Sequence, residues 1–215
     1  MPESPALPPS DTRDKLIAAG LRLFGRHGFE GTSTRALATE AGVNIAAIAY
    51  HFGGKDGLRR ACADHVAAHV GRAFSAAEDA PLPETPEAAM AEMEAAIAGF
   101  AGMLFGPPGG AEFVPFVLRE VTDAGAAADL LFSHLFEPRH RRVCRLWSVA
   151  TGRPAEAEEV RLAVFTIIGQ LLYFRIAQPF VLRRMGWDSI GRDETRALIA
   201  TVTENLRAAI QRSRT

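Results

Sequence analysis

Hydrophobic residues recur at intervals of three and four along almost the whole chain, which is the spacing of amphipathic α-helices. No stretch shows the strict alternation of apolar and polar residues that is typical of a half-buried β-strand. Proline and glycine clusters interrupt the pattern and mark helix ends. After the first quarter of the chain, helices are predicted over 55–77, 87–105, 112–122, 126–151 with an interruption at Pro138, 156–177 and 193–212. The fold is therefore predicted to be all-α.

The segment from Thr32 to Leu58 has the spacing of two short helices joined by a glycine turn. Thr32 or Ser33 can cap the first helix, because a hydroxyl at that position accepts a hydrogen bond from an unpaired amide of the first turn. Gly42 stands where the chain needs a residue able to adopt a positive φ, and Asn44 can cap the second helix. This arrangement predicts a helix-turn-helix.

The second of these helices is rich in alanine, which lets its backbone approach the edges of DNA bases closely. Tyr50, His51 and Lys55 follow, and their hydroxyl, imidazole and ammonium groups suit phosphate oxygens. The alternative for these three residues is an ordinary solvated helix end. The residues predicted to contact DNA are Ser33, Thr34, Arg35, Asn44, Ile45, Ala46, Ala47, Tyr50, His51 and Lys55.

Length and composition indicate two domains. With 215 residues, 48% of them hydrophobic, the chain can bury one large or two modest cores, and the helix-turn-helix occupies only its first quarter. The prediction is a proline-rich disordered arm over 1–10, a three-helix DNA-binding domain over 11–57, and a larger helical ligand-binding and dimerisation domain over 58–215. A net charge of −1 argues against an extended polyanion-binding surface, so binding must depend on geometry and dimerisation.

Catalytic and metal-binding patterns are weak. Cys62 and Cys144 are isolated, and the start of the chain is polar, which predicts a cytoplasmic protein with free thiols. His65 and His69 have the four-residue spacing of metal ligands but lack an accompanying glutamate. We therefore predict that the protein is not an enzyme and has no metal site and no cofactor.

The run from Leu162 to Phe174 is the most apolar part of the chain. It is shorter than the roughly twenty residues needed to span a membrane, so we predict burial within protein and no membrane partner. A second copy of the same helix, together with the helix over 193–212, would form a four-helix homodimer interface. The alternative is that both helices complete the core of one chain. The predicted interface residues are Phe165, Ile168, Gly169, Leu172, Leu198, Val202 and Leu206.

Large flexible and aromatic side chains on the C-terminal helices suggest a ligand pocket, with a few polar groups as anchors. The same side chains at helical spacing are also typical of a plain hydrophobic core, and that alternative stays open. The predicted pocket residues are Met93, Phe100, Met103, Phe116, Arg119, His134, Trp147, Gln170 and Tyr173.

The N-terminal motif resembles the TetR family of transcriptional regulators. The resemblance depends on Arg13, Leu16, Phe24, Gly28, Phe29, Ser33, Leu37, Ala38, Ala41, Gly42, Val43, Tyr50, His51, Phe52, Lys55 and Leu58. Two positions depart from the family pattern: Ala49 stands where many members have tyrosine, and Gly20 where alanine is usual.

The C-terminal region resembles the CecR-like branch of that family. The matching residues are Leu118 to Glu120, Pro138, Gly169, Gln170, Tyr173 to Arg175, Pro179 to Leu182, Gly186 and Trp187. The resemblance implies a dimeric repressor that binds a palindromic double-stranded DNA operator and is released by a small lipophilic or drug-like effector. The alternatives are a DNA-binding regulator without a small-molecule ligand, and a helical carrier or enzyme.

Overall fold

The computed structural model describes residues 9–78, 80–106, 113–123 and 126–214, and every regular element within these ranges is helical. The all-α prediction is confirmed for this part of the chain. The helices are α1 (Pro9–His27), α2 (Thr34–Ala41), α3 (Ala46–Phe52), α4 (Lys55–Glu78), α5 (Pro86–Phe105), α6 (Val114–Asp123), α7 (Ala126–Leu131), α8 (Glu137–Thr151), α9 (Glu158–Ile176), α10 (Gln178–Met185) and α11 (Arg192–Arg214).

Two segments differ from the sequence expectation. The helix α1 begins at Pro9, so the part of the predicted arm that precedes it lies outside the described residues. The single helix predicted over 156–177 is followed by a separate short helix, α10, with Pro179 in its first turn. Proline is well suited to that position, because its missing N–H would have no partner there in any case.

The chain forms two compact units. The first contains the residues up to Phe74 together with Glu112–Phe136, so it is larger than the segment 11–57 that was predicted as the DNA-binding domain. In this unit α1 packs against α2 and α6. Its core includes fully buried side chains on five helices, among them Leu16, Phe24, Leu37, Ile48, Leu58 and Phe116.

The second unit contains Ser75–Ala111 and Glu137–Thr215, in which α5, α8, α9 and α11 pack against one another. Its core includes Met93, Leu146, Trp147, Leu171 and Leu206. Arg142 on α8 is buried and links this helix to α5 and to the segment before α5. Its Nε donates to Glu92 at 2.8 Å, and its NH1 donates to the carbonyl of Ala80 at 2.6 Å. Pairing makes burial of this guanidinium tolerable.

Helices α7 and α8 are joined by a π-helical turn, Phe132–Phe136, which ends two residues before Pro138. The sequence predicted one helix here with an interruption at that proline. Proline has no N–H to donate and disturbs regular α-helical hydrogen bonding, which accounts for an irregularity at this point.

By length and composition, α5 is apolar enough to cross a membrane, and α9 with α10 passes the same test across an 80° bend. Such helices are equally typical of the core of a soluble protein. The helix α5 contributes Met93, Ile97 and Leu104 to the core of the second unit, which is the ordinary role of an apolar helix in a bundle.

Gly20, one of the two departures from the family pattern, faces a cysteine. A Cβ atom added at Gly20 would lie 2.6 Å from Sγ of Cys62, which is fully buried and donates to the carbonyl of Ile17 at 3.6 Å. The cysteine therefore occupies the space that an alanine methyl would need.

We expect Gly20→Ala to destabilise the protein, because overpacking of a core costs about 1–3 kcal/mol and the gain in helix propensity returns only about 1 kcal/mol. In a Cys62→Ala background the clash is absent, so the same substitution should become neutral or stabilising. Chemical denaturation of the four variants of this double-mutant cycle measures the coupling. Additive effects would contradict this account, and Gly102→Ala, on an exposed helical face with nothing within 4 Å, is the matched control.

Candidate nucleic-acid interface

The helix α2 begins and ends as its sequence predicts. Ser33 is the N-cap, and its Oγ accepts a hydrogen bond from the amide of Ala36 at 3.1 Å. Gly42 ends the helix at φ 65°, a left-handed conformation that favours glycine. The amide of Val43 then donates to the carbonyl of Ala38 at 3.0 Å, which closes the turn. These contacts involve neighbours in sequence, so local chemistry fixes the turn.

The helix α3 presents a thin face to solvent. Asn44 caps its start by accepting a hydrogen bond from the amide of Ala46 at 2.9 Å. Ile48 is buried against the core, whereas Ala46, Ala49 and Tyr50 are exposed, the tyrosine to 85%. Small exposed side chains allow close approach of the helix backbone to another surface, such as the floor of a DNA groove.

The residues predicted to contact DNA cluster on α2, α3 and the turn between them. Ser33, Arg35, Asn44, Ile45, Ala46 and Tyr50 are exposed, and Thr34, Ala47, His51 and Lys55 are half-buried. The ring of His51 lies 4.9 Å from that of Tyr50 in an edge-on arrangement. The structure thus brings these residues together at the helix-turn-helix, and their contact with DNA stays a prediction.

Lys55 makes contacts within the protein that the sequence did not reveal. Its Nζ donates to the carbonyls of Phe29 and Thr32, at 3.0 and 3.2 Å, and lies 4.0 Å from the centre of the Phe29 ring. These partners lie in the connection between α1 and α2. The ammonium is therefore engaged inside the protein.

Arg13 is a candidate contact residue that sequence reasoning included in the family motif but did not assign to the interface. Its guanidinium lies 5.5 Å from the centre of the Phe52 ring, at the end of α3, and the side chain is exposed. The two residues lie on different helices, so nothing in their local sequence indicated the contact.

A buried ion pair joins α4 to α6. The Nε of Arg59 donates to both carboxylate oxygens of Glu120 at 2.8 and 2.9 Å, and its NH2 lies 2.7 Å from Oε2. Only 1% of the Glu120 side chain and 14% of the Arg59 side chain are exposed. The same guanidinium also lies 4.7 Å from the centre of the Phe29 ring.

Phe116 and Arg119 were predicted to line a C-terminal pocket, but α6 carries them against α1 in the first unit. The Phe116 ring lies 6.5 Å from that of Phe24, and a Cβ at Gly25 would come within 2.9 Å of the Phe116 amide nitrogen. Arg119 lies over Gly28 and pairs with an aspartate of its own helix. Gly25 in α1 and Gly28 just after it have no side chain, so α6 can approach closely at both positions. The spacing of hydrophobic residues along the chain cannot indicate this contact.

Arg119 lines a pocket of about 390 Å³ in this unit. The volume lies within the range of small-molecule sites, roughly 300–1,000 Å³. The lining is polar, and it consists of His27, Gly28, Phe29, Glu30, Gly31, Arg59, Arg119 and Asp123.

The other predicted pocket residues are distributed over both units. In the second unit, Met93 and Trp147 are buried, Phe100 and Met103 are half-buried, Tyr173 is exposed, and Gln170 accepts a hydrogen bond from Asn205 at 2.7 Å. His134 is exposed on the π-helical turn of the first unit. Their role as ligand contacts stays a prediction.

The helix α9 has an exposed apolar stripe. Its members are spaced by three or four residues and comprise Leu162, Phe165, Gly169, Tyr173 and Ile176. Two of the predicted dimer residues, Phe165 and Gly169, lie on this stripe, while Ile168 and Leu172 are half-buried beside it.

The predicted dimer residues of α11 need correction. Leu198, Val202 and Leu206 are buried, because this side of α11 packs against α5, α8 and α9 of the same chain. They belong to the core of the second unit and are not available to another chain. The alternative considered from sequence, that this apolar face completes the core of one chain, holds for these three residues.

Metal and thiol chemistry receive little support in the described part of the chain. No group of three or more His, Cys, Asp or Glu side chains there could hold a metal ion, and the rings of His65 and His69 lie 6.3 Å apart in a stacked arrangement. Burial raises the pKa of Cys144 to about 11 and that of Cys62 further, so both thiols stay protonated at neutral pH.

Two family descriptions match the chain. Residues 16–62 match "Bacterial regulatory proteins, tetR family", and residues 89–211 match "HTH-type transcriptional dual regulator CecR, C-terminal domain". Among individual relatives, the transcriptional dual regulator CecR of Shigella flexneri is 32% identical over 204 residues, covering 93% of this chain and 91% of the relative. The regulatory protein RaaS of Mycobacterium tuberculosis is 28% identical over 197 residues, covering 90% and 86%.

Solved structures share the fold. A TetR-like transcriptional regulator from Rhodococcus sp. RHA1 superposes with a TM-score of 0.67 at 17% identity, covering 94% of this chain and 98% of the other. AibR, solved in complex with isovaleryl coenzyme A and operator DNA, superposes with a TM-score of 0.66 at 15% identity, covering 89% and 96%.

Proposed function

Since this chain belongs to the TetR family of transcriptional regulators, with a C-terminal domain of the CecR type, we propose that it is a cytoplasmic, ligand-responsive homodimeric repressor of a palindromic operator. The family assignment confirms the resemblance predicted from the sequence. The matched families and relatives are transcriptional regulators and not enzymes, which agrees with the prediction that the protein is not an enzyme.

The observation that carries the proposal is the exposed face of α3. Asn44 caps this helix, and the buried Ile48 packs it against the core. On the side that faces solvent, Ala46 and Ala49 have small side chains. An alanine face allows the helix to lie deep in a major groove and to contact thymine methyl groups. Such a helix offers few side-chain hydrogen bonds to bases, so much of the sequence selectivity must come from Arg35, Asn44 and the spacing of two copies.

Polar groups around this face are suited to the DNA backbone. Ser33 caps the N-terminus of α2, where backbone amides and the helix dipole favour an anion. Tyr50 and His51 present a hydroxyl and an imidazole at the end of α3. Contacts of this kind fix the position of a protein on the duplex without reading its sequence.

A homodimer is supported by the stripe on α9. Soluble proteins rarely leave a contiguous row of large apolar side chains uncovered, and Leu162, Tyr173 and Ile176 are 56%, 60% and 65% exposed. A second copy of α9 related by a two-fold axis would cover the stripe with its own equivalent residues. Gly169, with nothing within 4 Å of a Cβ, lets two such helices come close at the axis.

The effector part of the proposal depends on apolar side chains of α5. AibR, a structural neighbour, was solved in complex with isovaleryl coenzyme A and operator DNA. The half-buried Phe100 and Met103 offer an adaptable apolar lining, and we infer a lipophilic effector on that basis. A regulator without a small-molecule ligand is the second candidate, favoured by the complete burial of Met93 and Trp147.

Selection of bound duplexes from random DNA tests the DNA-binding function and the dimer together. We expect enrichment of a palindrome whose half-sites are about 34 Å apart along one face of the duplex, the spacing that two symmetric helix-turn-helix units require. Enrichment of a single half-site would contradict the dimer. Absence of any enriched sequence would contradict the proposed repressor function.

A further inference from the structure

The exposed apolar stripe on α9 is symmetric about Gly169. Phe165 and Tyr173 each lie four residues from this glycine, and Leu162 and Ile176 each lie seven residues from it. Four and seven residues are close to one and two full turns, so these side chains share one face of the helix. If two such faces pair antiparallel around a two-fold axis at the glycine, each large apolar side chain meets another large one.

Phe180 continues the same pattern beyond the end of α9. It follows Gly169 by eleven residues, which is about three turns. It lies on α10, which turns away from α9 by 80°, and its side chain is 76% exposed. The NH1 of Arg175 donates to the side chain of Gln178 at 2.9 Å across this bend, and the buried Val181 packs α10 onto its own chain. A helix held in this way presents the phenylalanine ring to solvent.

A pocket of about 190 Å³ lies at the opposite end of α9, and we name it the α9 pocket. Its lining consists of Glu158, Arg161, Leu162 and Phe165. Glu158 precedes the central glycine by eleven residues, the same distance by which Phe180 follows it. An antiparallel pair of α9 helices therefore brings the exposed ring of each copy to the α9 pocket of the other. Two of the lining side chains are apolar, and a guanidinium can stack on an aromatic ring.

Charges at the two ends of the stripe favour the antiparallel pairing. Glu158 and Glu159 are exposed in the first turn of α9. Arg183 and Arg184 are exposed in the last turn of α10, three and four residues after Phe180. Residues at these spacings lie on the same side of a helix, so docking of the ring brings the arginines toward the glutamates of the other copy. A parallel pair would place like charges opposite each other, which is unfavourable.

We propose that α10 is a dimer arm, and that Phe180 of each copy inserts into the α9 pocket of a second copy of this chain. The inference rests on the homodimer of the proposed function and adds an anchor outside the stripe on α9. An aromatic side chain seated in a pocket commonly contributes a large part of the binding energy of an interface. Each dimer has two such anchors, one at each end of the paired helices, and together they determine the register of the pair.

The dimer dissociation constant measures the contribution of the arm. We expect Phe180→Ser to raise it at least about 100-fold, because each dimer loses two aromatic anchors. Circular dichroism of the variant should retain the helical signal, since the ring is exposed in the single chain. Phe132→Ser is the matched control, because Phe132 is 52% exposed but lies in the first unit. Sedimentation equilibrium should give this control the dissociation constant of the wild type.

Chemical cross-linking with a short bismaleimide tests the contact directly. The double variant Leu162→Cys/Phe180→Cys should form a covalent dimer, whereas each single variant should not. In an antiparallel pair, equivalent residues at these positions lie roughly 20 Å or more apart, at 1.5 Å of helix rise per residue. The native Cys62 and Cys144 are at most 1% exposed, so they contribute little background.

Efficient cross-linking of Phe180→Cys alone would show a parallel pair and would overturn the inference. An unchanged dissociation constant for Phe180→Ser would overturn it as well, because the α9 pocket would then have another occupant or none. In both of these outcomes the protein is still a dimer and the proposed function stands. A wild-type protein that sediments as a monomer at micromolar concentration is a different outcome, since it contradicts the homodimer of the proposed function and the dimer arm with it.

Discussion

Replacement of Glu120 by alanine is expected to lower the free energy of unfolding by about 3–5 kcal/mol, the cost typical of removing one partner of a buried ion pair. The carboxylate is 1% exposed and receives bonds from both Nε and NH2 of Arg59. Without it, a mostly buried guanidinium loses its counter-charge and cannot be rehydrated fully. Urea denaturation followed by the helical circular-dichroism signal measures the loss in free energy of unfolding.

The same helix provides the control for this prediction. Asp123 pairs with Arg119 at 3.4 Å, but both side chains are more than 40% exposed. Solvent screens such a pair, so Asp123→Ala should change stability by less than about 1 kcal/mol. Replacing Glu120 and Arg59 together by methionine should recover most of the loss, because no charge then remains buried. Equal effects of Glu120→Ala and Asp123→Ala would show that the buried pair has no special role.

Replacement of Gly169 by glutamine is expected to convert the proposed dimer into a folded monomer and to weaken operator binding by at least about 100-fold, since one half-site then binds alone. A Cβ at Gly169 meets nothing within 4 Å in the single chain, so the variant has room for its side chain. Glycine is also a poor helix former, and the substitution should favour α9 by up to about 1 kcal/mol. In the proposed dimer, two-fold symmetry would place both new side chains at the point where the two copies of α9 come closest.

Sedimentation velocity and DNA retention on the selected operator check this prediction. Gly102→Gln is the matched control, because Gly102 lies on α5, is exposed, and also has nothing within 4 Å of a Cβ. It should gain the same helix propensity and stay dimeric. A Gly169→Gln protein that stays dimeric with normal operator affinity would contradict the α9 stripe as the interface.

The sequence was most informative where structure depends on near neighbours. The caps at Ser33 and Asn44 and the left-handed Gly42 were predicted correctly, because each side chain or backbone conformation acts within a few residues of itself. Helical periodicity likewise predicted most helix ranges within a few residues. The separate helix α10 was missed, since a proline that ends one helix can equally begin another.

Contacts between distant segments required the tertiary structure. Lys55 and Phe29 are 26 residues apart, and Arg59 and Glu120 are 61 apart, so no local pattern relates them. Periodicity identified the apolar face of α11 but could not show that Leu198 and its neighbours face their own chain. It could not show either that Phe116 packs on α1.

The amino-acid sequence by itself determined the all-α class, the helix-turn-helix and the family, because caps, turns and periodicity are short-range properties that a linear pattern records. Only the tertiary structure decided which cationic side chains form hydrogen bonds within the protein and that Gly20 packs against Cys62. It also decided which apolar face of the second unit is exposed to solvent. These features depend on which helices pack against each other. That choice is made by shape and burial summed over the whole chain.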